Sequence, residues 1–132
     1  MAFTLRRPPF RTYTITQLCR EFGATPRALR FYEEQGLLSP TRREHQRVYS
    51  YKDRARLALT VRGRKVGLSL AEIRDILDTY DHQGEAAQNQ RALQAFQARI
   101  EALETERRRA EEAIETLRAA SARLSGMQVA AE

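Results

Sequence analysis

The stretch YTITQLCREFGATPRALRFYEEQGLL, Tyr13 to Leu38, reads as two short helices joined by a glycine-bearing turn. Thr14 stands as an N-cap before Ile15, Leu18, Cys19 and Phe22, which recur at the three- and four-residue spacings of one helical face. Gly23 supplies the left-handed residue that stops this helix. Thr25-Pro26 then opens another, because threonine caps and a proline in the first helical position gives up an N–H that would have no partner there. The second helix, PRALRFYEEQG, buries Leu29 and one of its two aromatics, leaves Arg27 and Arg30 on another face and stops at Gly36. Two helices so joined make a helix-turn-helix, whose second member enters the major groove of DNA with its first turn, here carrying Arg27, against the base edges.

The charge agrees with that reading. Residues 1 to 67 hold 15 Lys/Arg against 5 Asp/Glu, a net of +10, whereas residues 68 to 132 hold 8 against 12, a net of −4. Cations gathered around a groove-entering motif are the footprint of phosphate binding. The basic, proline-interrupted start MAFTLRRPPFRT resembles neither a signal segment nor a membrane span, so the chain reads as cytoplasmic with no membrane partner. Its single cysteine, Cys19, excludes an internal disulfide and sits where a small core hydrophobe belongs. His45 and His82 are isolated, so no zinc spacing, no cofactor site and no catalytic grouping can be assembled. An enzyme is therefore not expected.

Outward from the helix-turn-helix, TRREHQ followed by Arg47-Val48-Tyr49 reads as a hairpin-like wing, with Arg43, Arg47 and Tyr49 set toward the sugar-phosphate backbone. Ser50 with Asp53 is a capping arrangement that starts a third helix, with Leu57 and Val61 on its buried stripe and Gly67 at its end. Gly63 is the point at which this helix is expected to bend or end early. Arg62, Arg64 and Lys65 cluster near its end, where some complement the negative end of the helix dipole and others, Arg62 and Lys65 first, form a second set of phosphate contacts. Ser69 and Glu72 then box the start of a fourth helix with Leu70, Ile73 and Leu77 as its apolar stripe.

Four motifs in this order, YTI-x-QL, TPRALRFYEEQGLL, RVYS-x-x-D and VGLSLAEIRDIL, resemble the MerR family of bacterial transcription regulators from Tyr13 to Leu77. The resemblance implies a mainly α fold, a winged helix-turn-helix followed by a long dimerisation helix in an antiparallel coiled coil. It implies Thr25, Arg27, Arg30 and Tyr32 as contacts from the recognition helix, and Arg47 with Tyr49 from the wing. It also implies double-stranded promoter DNA as partner, with an imperfect palindrome bent and untwisted to realign promoter elements, and RNA polymerase at the promoter. Phe31 stands where many relatives have a second tyrosine, so a hydroxyl contact there is absent. Soft-metal sensors of the family carry paired cysteines at and beyond the end of the long helix, and none follows Cys19 here. The wording RGRKVGLSLAEIRDILDTYD is similar to regulators of leucine and isovalerate degradation, which implies an acyl-type small-molecule effector.

From Leu93 onward a heptad seam runs through Leu93, Phe96, Ile100, Leu103, Arg107, Ala110, Ile114, Leu117, Ser121 and Leu124. At ~1.5 Å per residue it spans about 48 Å, too long to pack on so small a domain, so a partner helix is implied. A parallel dimer sets Arg107 against its own copy. An antiparallel one sets Arg107 opposite Ala110 and Phe96 opposite Ser121, with Leu93 facing Leu124, Ile100 facing Leu117 and Leu103 facing Ile114. The expected organisation is a basic tail (1–12), the DNA-binding domain (13–79), a hinge (80–90), the dimerisation helix (91–125) and a tail (126–132). A homodimeric, nucleoid-associated regulator is the leading expectation; a DNA-bending architectural protein and a coiled-coil adaptor share these features.

Overall fold

Three capping boxes and one threonine cap set the helix starts in the computed structural model, which describes residues 11–131; most of the expected tail, residues 1–10, lies outside that range. The order is β1 (Tyr13–Thr14), α1 (Ile15–Phe22), α2 (Pro26–Glu34), β2 (Thr41–Arg43), β3 (Gln46–Tyr49), α3 (Tyr51–Lys65), α4 (Leu70–Gln83) and α5 (Glu85–Ala131). At Thr14 the hydroxyl accepts from the Gln17 N–H at 3.1 Å while the Gln17 side chain accepts from the Thr14 N–H at 2.9 Å. Gly23 ends α1 at φ 64°, as its sequence position requires.

Two compact units result, residues 1–92 and 93–132. In the first, Tyr13, Leu18, Leu29, Leu38, Tyr49 and Leu57 form the core, with Ile15, Cys19, Phe22, Tyr32 and Val61 packed against it. A three-stranded antiparallel sheet, ordered β1-β3-β2, closes one side. Its register pairs Tyr13 with Tyr49 and Thr14 with Val48, then Thr41 with Val48, Arg42 with Arg47 and Arg43 with Gln46. Glu44 and His45, both at positive φ (52° and 69°), form the two-residue turn between β2 and β3.

Asp53 is buried and saturated by donors: the Ser39 N–H at 2.9 Å, the Ser50 N–H at 3.1 Å and the Ser50 hydroxyl at 3.2 Å. It therefore ties the connection after α2 to the start of α3. Arg54 donates to both carboxylate oxygens of Glu21, joining α3 to α1, and this hydrogen bond holds the Glu21 carboxyl below its usual range. Arg56 donates to the Leu37 carbonyl at 2.6 Å and reaches Asp78 and Asp81 of α4 at 3.4 Å each.

Three expectations are corrected. Helix α3 passes through Gly63 without interruption and stops at Lys65, with Gly67 at φ 87° just beyond. Gly63 is buried, and a Cβ there would lie 3.0 Å from Ile73 Cδ1 and 3.3 Å from Leu68 Cδ1, so the glycine lets α4 approach α3. The expected hinge at 80–90 is helical apart from Gly84, whose φ 89° and ψ −175° only glycine adopts readily. Helix α5 accordingly begins at Glu85 rather than 91 and continues to Ala131 rather than 125, and the first unit extends to Ala92, which is buried, rather than to Thr79.

The second unit is α5 from Leu93 onward. None of residues 93–130 is buried. Leu93, Ile100, Leu103, Ile114, Leu117 and Leu124 are all exposed, and Arg99 with Glu106 forms an ion pair at 3.7 Å. No helix among the described residues is long and apolar enough to cross a membrane.

Candidate nucleic-acid interface

Helix α2 divides its residues by period. Leu29 has no exposed surface and Tyr32 packs on the core, which fixes the helix against α1. Arg27, Arg30, Phe31 and Glu34, at spacings of three and four, are exposed together on the opposite face. Thr25 is occupied as the cap, accepting from the Ala28 N–H at 3.1 Å. Arg27 thus stands in the first turn of an anchored helix, next to the N-terminal N–H groups and the positive end of its dipole. An anion meets both there.

Phe31 is 42% exposed, its ring 6.0 Å from that of Tyr32. Tyr32 is therefore the aromatic that packs inward. Cys19, on α1, is partly buried; desolvation pushes its thiol up and nearby Arg30 opposes that shift. This keeps it a protonated packing residue at neutral pH. Among the described residues no group of three or more His, Cys, Asp or Glu side chains is placed to hold a metal ion.

The wing distributes its expected contacts unequally. Arg43 is exposed beside the turn, opposite Gln46. Tyr49 is fully buried, and its hydroxyl has no hydrogen-bond partner among the described residues. A side chain in that position cannot lie on a phosphate, so Tyr49 is a core residue; burial, then the neighbouring Glu33 carboxylate, pushes its phenol up. Alternation along β3 puts Arg47 on the same face as Tyr49, and its guanidinium runs to α2, where Nε donates to Glu33 Oε2 at 2.7 Å. That hydrogen bond raises the Arg47 pKa further. Arg42, absent from the expected contacts, is the residue directly across from Arg47. Sequence alternation alone could have indicated it, once the turn was placed at Glu44-His45.

Near the end of α3, Arg62, Arg64 and Lys65 are all exposed. In the last turn they also complement the negative end of the helix dipole. On α5, Leu93, Ile100, Leu103, Ala110, Ile114, Leu117 and Leu124 are exposed, and Phe96 is half-buried.

Comparison with known proteins agrees with this geometry. A family model described as "MerR HTH family regulatory protein" matches residues 13–80, and another described as "MerR, DNA binding" matches residues 54–120. The HTH-type transcriptional regulator CueR of Salmonella typhi is 33% identical over 69 residues, which are 51% of this chain and 50% of that protein. Its counterpart in Escherichia coli O157:H7 is 32% identical over 69 residues, 51% of each. The chain thus spans about half the length of the curated relatives it matches. Among solved structures, HiNmlR, a MerR family regulator lacking the sensor domain and bound to promoter DNA, shares the fold with a TM-score of 0.60 at 24% identity, over 80% of each chain. PbrR691 from Ralstonia metallidurans CH34, in complex with lead(II), gives a TM-score of 0.59 at 27% identity, over 80% of this chain and 85% of its own. These models and relatives describe regulators, not enzymes.

Proposed function

This chain belongs to the MerR family, and from that premise we propose that it is a homodimeric, sequence-specific DNA-binding transcription regulator acting on a palindromic promoter site. The observation that carries the reading is α2: pinned to the core through Leu29, it turns Arg27 and Arg30 outward from its first turns. In the major groove Arg27 and Arg30 meet base edges and flanking phosphates. Arg43 on the wing, with Arg62 and Lys65 at the end of α3, engages phosphates on either side, fixing position without reading sequence.

The stripe on α5 supports dimerisation, since Leu93, Ile100, Leu103, Ile114, Leu117 and Leu124 are exposed along it. An antiparallel pair relates two copies of α2 by a two-fold axis and demands a two-fold target. Control is exerted through DNA shape: contacts from both copies offset the cost of bending and untwisting the duplex between them, which realigns promoter elements for RNA polymerase.

Selection of genomic fragments by the purified protein at about 0.15 M salt, beside an Arg27→Ala control, tests the reading. Enrichment of one inverted-repeat promoter site that the control fails to enrich is the expected result. Uniform, salt-labile retention would instead mark a DNA binder without a regulatory site.

A further inference from the structure

Glu33 is an acidic side chain on the helix that is read here as the DNA-recognition element, where a phosphate backbone repels it. It is also half-buried against the wing, the two side chains of its pair with Arg47 being 26% and 25% exposed. Solvent still screens part of this pair, so folding stability alone does not account for a carboxylate in the interface. The geometry of the contact supplies the reason. Only Nε of Arg47 is engaged, at 2.7 Å. A guanidinium carries five N–H donors in a rigid fork. Among the described residues Nη1 and Nη2 make no hydrogen bond, so that edge of the fork is left to a ligand with acceptor oxygens.

The strand register adds a second, independent observation. Arg42 and Arg47 are direct partners across β2 and β3, so two guanidinium-bearing residues share one face of the wing. Like charges directly opposed in a ribbon are unfavourable, and Arg42 has no ion pair of its own among the described residues. A bound anion relieves that repulsion. A carboxylate locked onto one edge of Arg47 relieves part of it beforehand and fixes where the other edge points.

We propose that Glu33 is a positioning residue, holding Arg47 by Nε so that Arg47 and Arg42 together receive a DNA phosphate at the junction of α2 and the wing. The inference rests on the DNA-binding reading above. It makes a prediction opposite in sign to simple electrostatics, under which removing a negative charge beside a polyanion tightens binding.

The test is a double-mutant cycle on the operator recovered from the fragment selection, with affinity measured across a salt series. Arg47→Ala weakens binding about tenfold, the scale of a charge-assisted contact, and reduces the slope of log K against log salt by about one. Glu33→Gln weakens binding about threefold to fivefold in the native background, where the charged acceptor that holds Nε becomes a neutral amide oxygen. In the Arg47→Ala background Glu33→Gln causes no loss, because nothing is left to position and only the relief of its repulsion with phosphate remains. Arg42→Ala lowers the salt slope as Arg47→Ala does. Tighter or unchanged binding by Glu33→Gln in the native background overturns the inference. So does an equal loss in both backgrounds, which is what a merely misfolded variant gives. If the native chain selects no operator, the regulator reading itself fails; if it selects one and the cycle is additive, only the role of Glu33 falls.

Discussion

Leu29 and Leu57, in the first unit, have no exposed surface, whereas Leu117 and Leu124, in the second, are 66% and 63% exposed. The residue type is the same and its circumstances are opposite. In the first unit, short helices cross one another and a small sheet, so each apolar stripe meets another within the chain. In the second, a single helix carries a stripe of heptad spacing with nothing from its own unit to cover it. Burying each such leucine contributes about 1.5–3 kcal/mol, so a stripe of this length is a strong drive toward a partner. The first unit covers its own apolar stripes, whereas the second leaves its stripe exposed.

Removing the pairing should have the largest effect. Ile114→Glu puts a charge at the middle of the seam; sedimentation at micromolar concentration should show a monomer, and binding should fall to the roughly 10⁻⁴–10⁻⁶ M of non-specific contact. A persisting dimer would erase the contrast between the units. Asp53→Ala strikes the first unit instead, leaving the Ser39 and Ser50 N–H groups without their acceptor at a cost of about 2–3 kcal/mol in urea unfolding. The helical signal of α5 should respond to it far less than the near-ultraviolet signal of the buried tyrosines. Gly63→Val drives a branched side chain into Ile73, and about 1–3 kcal/mol should be lost as α4 is pushed from α3. The smallest change is a gain. Replacing Glu44-His45 with Asn-Gly relieves two positive-φ residues in the turn and should stabilise the wing by up to about 1 kcal/mol, seen as a higher urea midpoint.

What could be read from the sequence follows the range of the interactions. The caps at Thr14, Thr25, Ser50 and Ser69, the stop at Gly23 and the core position of Leu29 are local, each set by residues within a turn or two, and all were legible. The face of a wing residue depends on register. Tyr49 reads from the sequence as a backbone contact, yet its pairing with Tyr13 carries its ring into the core, and register puts Arg42, absent from the expected contacts, across from Arg47. Tyr13-Thr14 as a strand was equally invisible, since two residues have no pattern until β3 lies beside them. Helix propensity made Gly63 look like a weak point; its close contact with Ile73 is tertiary. The segment 80–90 read as a hinge from its polar composition, whereas one glycine is enough to separate α4 from α5.

The proposed antiparallel pairing of α5 is the basis of the two-fold target, and cysteine cross-linking tests it. In a Cys19→Ser background, Leu103→Cys and Ile114→Cys chains are mixed, annealed and oxidised mildly. Antiparallel pairing predicts a disulfide between a Leu103→Cys chain and an Ile114→Cys chain, and none in Ile114→Cys alone. A disulfide dimer of Ile114→Cys alone would mean parallel helices, and the palindromic target would lose its basis.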